Sequence, residues 1–214
     1  MEIGTPLGLG FASGFNAYLP LLAFAVSARW LHLYKVNPNF TFITSDWCII
    51  ALVVLTIVDF VADKIPGVDH AWDATHTIVR PIAGALVAAA SSNQVTIPIT
   101  TSSISDHILG TVSAVPGDIH IAGAGLFVIA LLGGILAAMS HAAKATTRLV
   151  STFTTAGLFN IILSIGEDIL VFITILLSLF VPVIMLVLIV LFFLIFGPPI
   201  FRAWSRRRSK FGHL

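Results

Sequence analysis

The chain has 214 residues, of which 57% are hydrophobic and 10% are charged. Soluble domains carry about 25% charged residues, and one globular core of this size could not hide so much apolar surface from water. Lipid removes that conflict, a formal net charge of +1 gives no basis for a nucleic-acid partner, and the single Cys48 excludes an internal disulfide.

A membrane-crossing helix needs about 20 predominantly apolar residues. The first candidate span is 7–28, which has no formal charge but contains Asn16 and Pro20 and follows no basic segment, so it reads as a retained span rather than a cleaved signal. Trp30 and Tyr34 follow it as interfacial aromatics. The second span is 47–65, interrupted by Asp59, Asp63 and Lys64 and stopped by Pro66-Gly67. The third is 74–91. Residues 92–118 form a polar connection rich in Ser and Thr, with a strand-like piece at 94–100. The fourth span, 119–143, carries Gly123, Gly125, Gly133 and Gly134, small residues that let neighbouring helices approach.

From Leu149 to Phe201 only Glu167 and Asp168 are charged, and one helix of that length would far exceed a bilayer. Dividing the stretch near Pro182 gives spans at 157–179 and 182–201. A basic tail, 202–214, follows with Arg202, Arg206, Arg207, Arg208 and Lys210. The pattern predicts an all-α polytopic transmembrane bundle of about six spans, with 59–81 as a re-entrant or interfacial segment in a variant topology. The positive-inside rule puts the tail in the cytoplasm, and the expected location is the plasma or inner membrane of the cell.

The ionisable residues that interrupt these spans carry the chemistry. Asp59 and Asp63 are four apart, so a helix puts both on one face, where they need a shared proton, a cation or a basic partner such as Lys64 or Arg80. Asp69, Asp73, His76 and Arg80 follow the spacing of a second face. His141, Lys144 and Arg148 repeat the i, i+3, i+7 spacing of Asp73, His76 and Arg80. Glu167 and Asp168 are adjacent, point about 100° apart on a helix, and so have different partners. Glu167, apolar on both flanks, is expected to be the more deeply buried of the acids, and it is expected to meet Lys144 and Arg148. Asn16 with Pro20 marks a site where a broken helix can line a cavity. His70, Asp73 and His76 allow a divalent cation on one helical face; no other cofactor is expected.

Intramembrane ionisable groups point to a pathway for an ion, proton or charged head group. The reading is a transporter or channel-like protein moving a small ion, a charged solute or a lipid head group. The alternative is a non-transporting subunit or lipid-binding scaffold within a larger membrane complex. Membrane lipids, a second copy of the chain or another membrane protein are the expected partners. No nucleophile elbow, P-loop, zincin or dinucleotide motif is present, so no enzymatic activity is read.

Several segments carry a family resemblance: Ala12-Ser-Gly-Phe-Asn-Ala-Tyr-Leu-Pro-Leu-Leu-Ala23, Asp59-Phe-Val-Ala-Asp-Lys-Ile-Pro-Gly-Val-Asp69, His76-Thr-Ile-Val-Arg-Pro-Ile-Ala-Gly-Ala-Leu86, His141-Ala-Ala-Lys144 and Gly166-Glu-Asp-Ile-Leu170. The chain resembles the membrane family known as domain of unknown function 4126. The resemblance covers most of the chain apart from the polar connection and the basic tail. It implies a multi-span helical membrane protein with an acidic residue at the position of Asp59, and it supplies no activity.

Overall fold

Every element of the computed structural model is helical among the described residues, which are 3–65, 68–92, 124–155 and 160–195. In chain order they are α1 (Gly4–Ser13), α2 (Leu19–Arg29), a 3-10 turn (Pro38–Thr44), α3 (Asp46–Ala62), α4 (Val68–Ser91), α5 (Ala124–Thr155), α6 (Asn160–Phe180) and α7 (Pro182–Ile195). Local chemistry sets several boundaries. The Asn16 side chain accepts from the backbone N–H groups of Tyr18 (3.0 Å) and Leu19 (2.8 Å), and Pro20 occupies the first turn of α2. Ser45 caps α3, with Asp46 in its first turn to meet the helix dipole. Pro182 opens α7, where its missing N–H costs nothing.

The expected single span at 7–28 is instead two short arms running in opposite directions. Gly10 of α1 lies against Gly84 and Gly133, and Gly14 lies against Ala137 and His141, so α1 runs alongside α5 and against α4. The chain then turns back. The Tyr18 ring meets His76 of α4, while Asn37 N–H donates to Ala90 O at the far end of that helix (2.9 Å). Both ends of the hairpin return to one place: Thr5 donates to Ser178 O (2.9 Å) and the Tyr34 hydroxyl donates to Leu179 O. With arms of 10 and 11 residues, each about 15 Å long, the hairpin reaches only about half-way through a bilayer. Uninterrupted apolar composition made 7–28 read as one span; the reversal comes from contacts made by distant residues.

The stretch 59–81 comprises the end of α3, a turn and the first half of α4, which continues to Ser91. A second reversal occurs at Val181. Ser178 of α6 and Met185 of α7 both lie within 3 Å of where a Cβ on Gly8 would sit. An unbroken helix would separate residues seven apart by about 10.5 Å along its axis, so α7 folds back against α1, where Phe192 packs edge-on to Phe11 (5.0 Å).

The core is built on close backbone approach. A Cβ on Gly84 would lie 2.5 Å from the Ala137 Cβ, 2.8 Å from Gly133 O and 3.1 Å from Gly10 O, so α1, α4 and α5 meet there with nothing larger than alanine methyls between them. The outside carries the large apolar groups: Ile50, Val54, Ile57 and Val61 on α3, and Ile162, Ile165, Ile169, Phe172 and Leu176 on α6, are all exposed. Water would not tolerate such a surface on a monomer, whereas hydrocarbon solvates it. The 25-residue stretch Gly125–Leu149 and the 19-residue stretch Ile162–Phe180 are long and apolar enough to cross a membrane, and the bent pair Pro38–Thr44 and Asp46–Ala62 adds a third if counted as one span. These features indicate a membrane protein. The strand-like piece at 94–100, most of the polar connection and the basic tail lie outside the described residues.

Candidate functional site

The hairpin tip, the ends of α3 and α5 and the starts of α4 and α6 converge on one buried polar region. At its centre is Lys144, whose ammonium donates to Asp63 Oδ2 (2.7 Å) and to the backbone carbonyl of Phe15 at the hairpin tip (3.2 Å), and lies 3.3 Å from Glu167 Oε2. One turn on, Arg148 pairs with Glu167 through two nitrogens (NH2 to Oε2 2.5 Å, Nε to Oε1 3.3 Å). Its guanidinium also reaches Asp63 Oδ2 (3.2 Å) and Asp73 Oδ2 (3.3 Å). Arg80, fully buried, lies 3.2 Å from Asp73 Oδ1. Three carboxylates and three permanent cations from four helices thus form one ion-paired lattice. Breaking any pair would strand a charge at a cost of several kcal/mol.

A second, adjacent group behaves differently. Asp59 is 1% exposed and its Oδ1 accepts from Trp72 Nε1 (2.6 Å), while Oδ2 has no hydrogen-bond partner among the described residues. His76 Nε2 lies 3.6 Å from Asp59 Oδ1, likewise with no hydrogen bond among the described residues. The His76 ring is bracketed by Trp72 (4.6 Å) and by the edge of Tyr18 from the hairpin (5.7 Å, 90°). Arg80 links the two groups: its NH1 donates to His141 Nδ1 (2.6 Å), but its Nε and NH2 have no hydrogen-bond partner among the described residues. His141 Nε2 is 3.3 Å from Thr77 Oγ1.

The surface around the region is mixed. Val61 and Ile65 beside Asp63, Leu149 beside Arg148, and Ile162 and Ile165 before Glu167 are exposed, and so are Thr75, Thr77, Thr146 and Thr147.

The i, i+3, i+7 stripe His141, Lys144 and Arg148 is buried together, and it faces Asp73, His76 and Arg80 across α4 and α5. Glu167 meets both Lys144 and Arg148, yet it is not the most buried acid: its side chain is 12% exposed, whereas that of Asp59 is 0%. The apolar flanks of Glu167 face outward, while Asp59 sits between α3 and α4. Lys64 and Asp168 pair with each other at 2.5 Å on the rim, their side chains 41% and 24% exposed. The Asn16 side chain caps α2 instead of lining an opening. The side chains of Asp69 and His70 lie outside the described residues. Of the divalent-cation trio, the His70 side chain lies outside the described residues, Asp73 faces Arg80 and Arg148, and His76 faces Asp59; no group of three or more potential ligands occurs among the described residues. Sequence reasoning passed over Tyr18, Trp72 and the Phe15 carbonyl. Trp72 is one turn from His76, a spacing that could have found it; the carbonyl carries no side-chain signal.

The model of the family described as domain of unknown function (DUF4126) matches residues 3–126 and 108–198. The chain belongs to this family. The match spans the hairpin and every helix that contributes to the polar region. No match was found among curated proteins or solved structures.

Proposed function

We propose that this member of the family is a multi-pass transporter or channel-like protein that moves a small ion, a charged solute or a lipid head group, with the buried polar region as its central site. One observation carries the reading: a helical hairpin of two short arms ends in non-helical backbone, Gly14–Tyr18, and the Phe15 carbonyl at that tip is held by Lys144 inside a buried network of charges. Irregular backbone at membrane depth is tolerated only where it is buried in protein or lines a water-filled path, and broken helices of this kind frame the sites of many transporters. Ionised groups there are costly and are kept for use.

Reconstitution into proteoliposomes tests it. Movement of at least one member of a panel of monovalent and divalent ions, charged solutes and labelled lipids is expected, and Glu167→Gln is expected to weaken it while the protein still elutes as a single species. A protein that moves nothing from the panel, with the same elution profile, would remove the proposal.

The saturation of the lattice supports a second reading, in which the charges only fasten the helices of a non-transporting subunit or lipid-binding scaffold together. Such a subunit would co-purify with a membrane-protein partner, and that association would survive Glu167→Gln. In the transport reading the protein resides in the plasma or inner membrane with its basic tail in the cytoplasm; a reporter fused after residue 214 tests the orientation.

A further inference from the structure

The hydrogen bonds around the two buried histidines fix different protonation behaviour. His141 Nδ1 lies 2.6 Å from Arg80 NH1. A guanidinium can only donate, so this nitrogen must present its lone pair, and the ring proton belongs on Nε2, toward Thr77. A second proton on Nδ1 would face the cation directly. His141 is held neutral.

His76 is arranged the other way round. Its Nδ1 lies 2.9 Å from the Trp72 carbonyl, which can only accept, so Nδ1 carries the N–H and Nε2 is the nitrogen that gains or loses a proton. Nε2 faces Asp59 Oδ1 at 3.6 Å, with both side chains almost wholly buried. With no proton between them, a nitrogen lone pair would point at a carboxylate in a poorly solvated setting.

The charge balance gives an independent reason for a proton there. Among the described side chains, Asp59, Asp63, Asp73 and Glu167 are four carboxylates, and Arg80, Lys144 and Arg148 are three permanent cations. The Lys64–Asp168 pair on the rim balances itself. One proton on the Asp59–His76 pair makes the buried group neutral.

Resting on the transport reading, we propose that Asp59 and His76 form a proton-binding site and that the proton is the coupling ion. Loaded, the pair is an imidazolium beside a carboxylate. Unloading sends the Nε2 proton to water and leaves a neutral imidazole and the Asp59 carboxylate. Arg80 is the countercharge for that state: its Nε and NH2, like Asp59 Oδ2, have no hydrogen-bond partner among the described residues. The other charged or titratable groups facing the pair are Tyr18 on the hairpin, Asp63 on α3, Asp73 on α4, and His141 and Lys144 on α5. Of these, Asp63, Asp73 and Lys144 are ion-paired and His141 is locked, which leaves the Asp59–His76 pair as the exchangeable one.

Two measurements on the full chain in lipid nanodiscs and proteoliposomes test this. In the first, the ring nitrogens of ¹⁵N-labelled histidine are followed by NMR across pH. The expected result is a His76 Nε2 that carries a proton, and whose protonation changes when Asp59→Asn is introduced, while His141 stays neutral in both. A His76 Nε2 that is unprotonated at every pH, or indifferent to Asp59→Asn, overturns the proposal. In the second, proton entry is read with an internal pH dye under a potassium diffusion potential. Proton flux is expected to be lost in Asp59→Asn and His76→Gln, partly restored in Asp59→Glu, and unchanged in Cys48→Ser. Flux of another ion with no accompanying proton movement overturns the coupling while the transport reading stands. The expected NMR result with no flux of any ion removes the transport reading and the coupling together, and keeps only the proton site.

Discussion

In the half of the polar region built on Lys144 and Arg148, every carboxylate has a cation within 3.3 Å, and the guanidinium of Arg148 alone touches three acids. In the half built on Asp59 and His76, the closest approach of the two partners is 3.6 Å, beyond hydrogen-bond range. Both halves are buried between the same helices, so depth does not distinguish them. What differs is the supply of permanent cations. The first half has enough to satisfy its acids and holds helices together; the second relies on a proton, which can leave.

That contrast breaks if the first half proves dispensable. Lys144→Met leaves Asp63 and Glu167 with Arg148 alone and takes the donor from the Phe15 carbonyl. It is expected to cost about 3–5 kcal/mol, read as a fall in the thermal midpoint of the detergent-solubilised protein; a change near zero would mean the lattice does not hold the fold. The reciprocal exchange, Lys144→Glu with Glu167→Lys, sharpens the point. Each single change should be poorly folded, and the double variant should recover by a coupling of about 0.5–3 kcal/mol, provided the 3.3 Å contact is real. Gly133→Val probes the floor beneath both halves, where the backbones of α1, α4 and α5 touch. Overpacking there should cost about 1–3 kcal/mol, and a thermal midpoint equal to that of the native protein would refute the close approach. The smallest effect belongs to the second half: Asp59→Asn keeps an acceptor for Trp72 Nε1 and removes a buried charge, so its midpoint should move by no more than about 1 kcal/mol equivalent. A collapse comparable to that of Lys144→Met would erase the distinction between the halves.

The membrane character, the helical class and the charged stripes were legible because each rests on local composition or on the 3.6-residue period. The meeting of Lys144 and Arg148 with the acids followed from charge pairing, since unpaired ions in hydrocarbon are too costly to persist. The reversal at Gly14–Tyr18 was not legible. Pro20 and Asn16 signal a break, but a kinked crossing and a returning hairpin share that signal, and the choice is made by Lys144, Ser140 and His76 far along the chain. Asp59 and Asp63 were correctly put on one face, yet their spacing could not show that the first would serve His76 and the second Lys144. Neither could composition distinguish Asn16 as a cap from Asn16 as a ligand, because both uses need the same amide.

The partner that secures the hairpin tip is encoded 129 residues after it. A bare carbonyl costs several kcal/mol in hydrocarbon, and arms this short are poor candidates for insertion on their own. The Lys144 donor is made after the carbonyl it satisfies, so the tip goes without that partner until α5 has been synthesised.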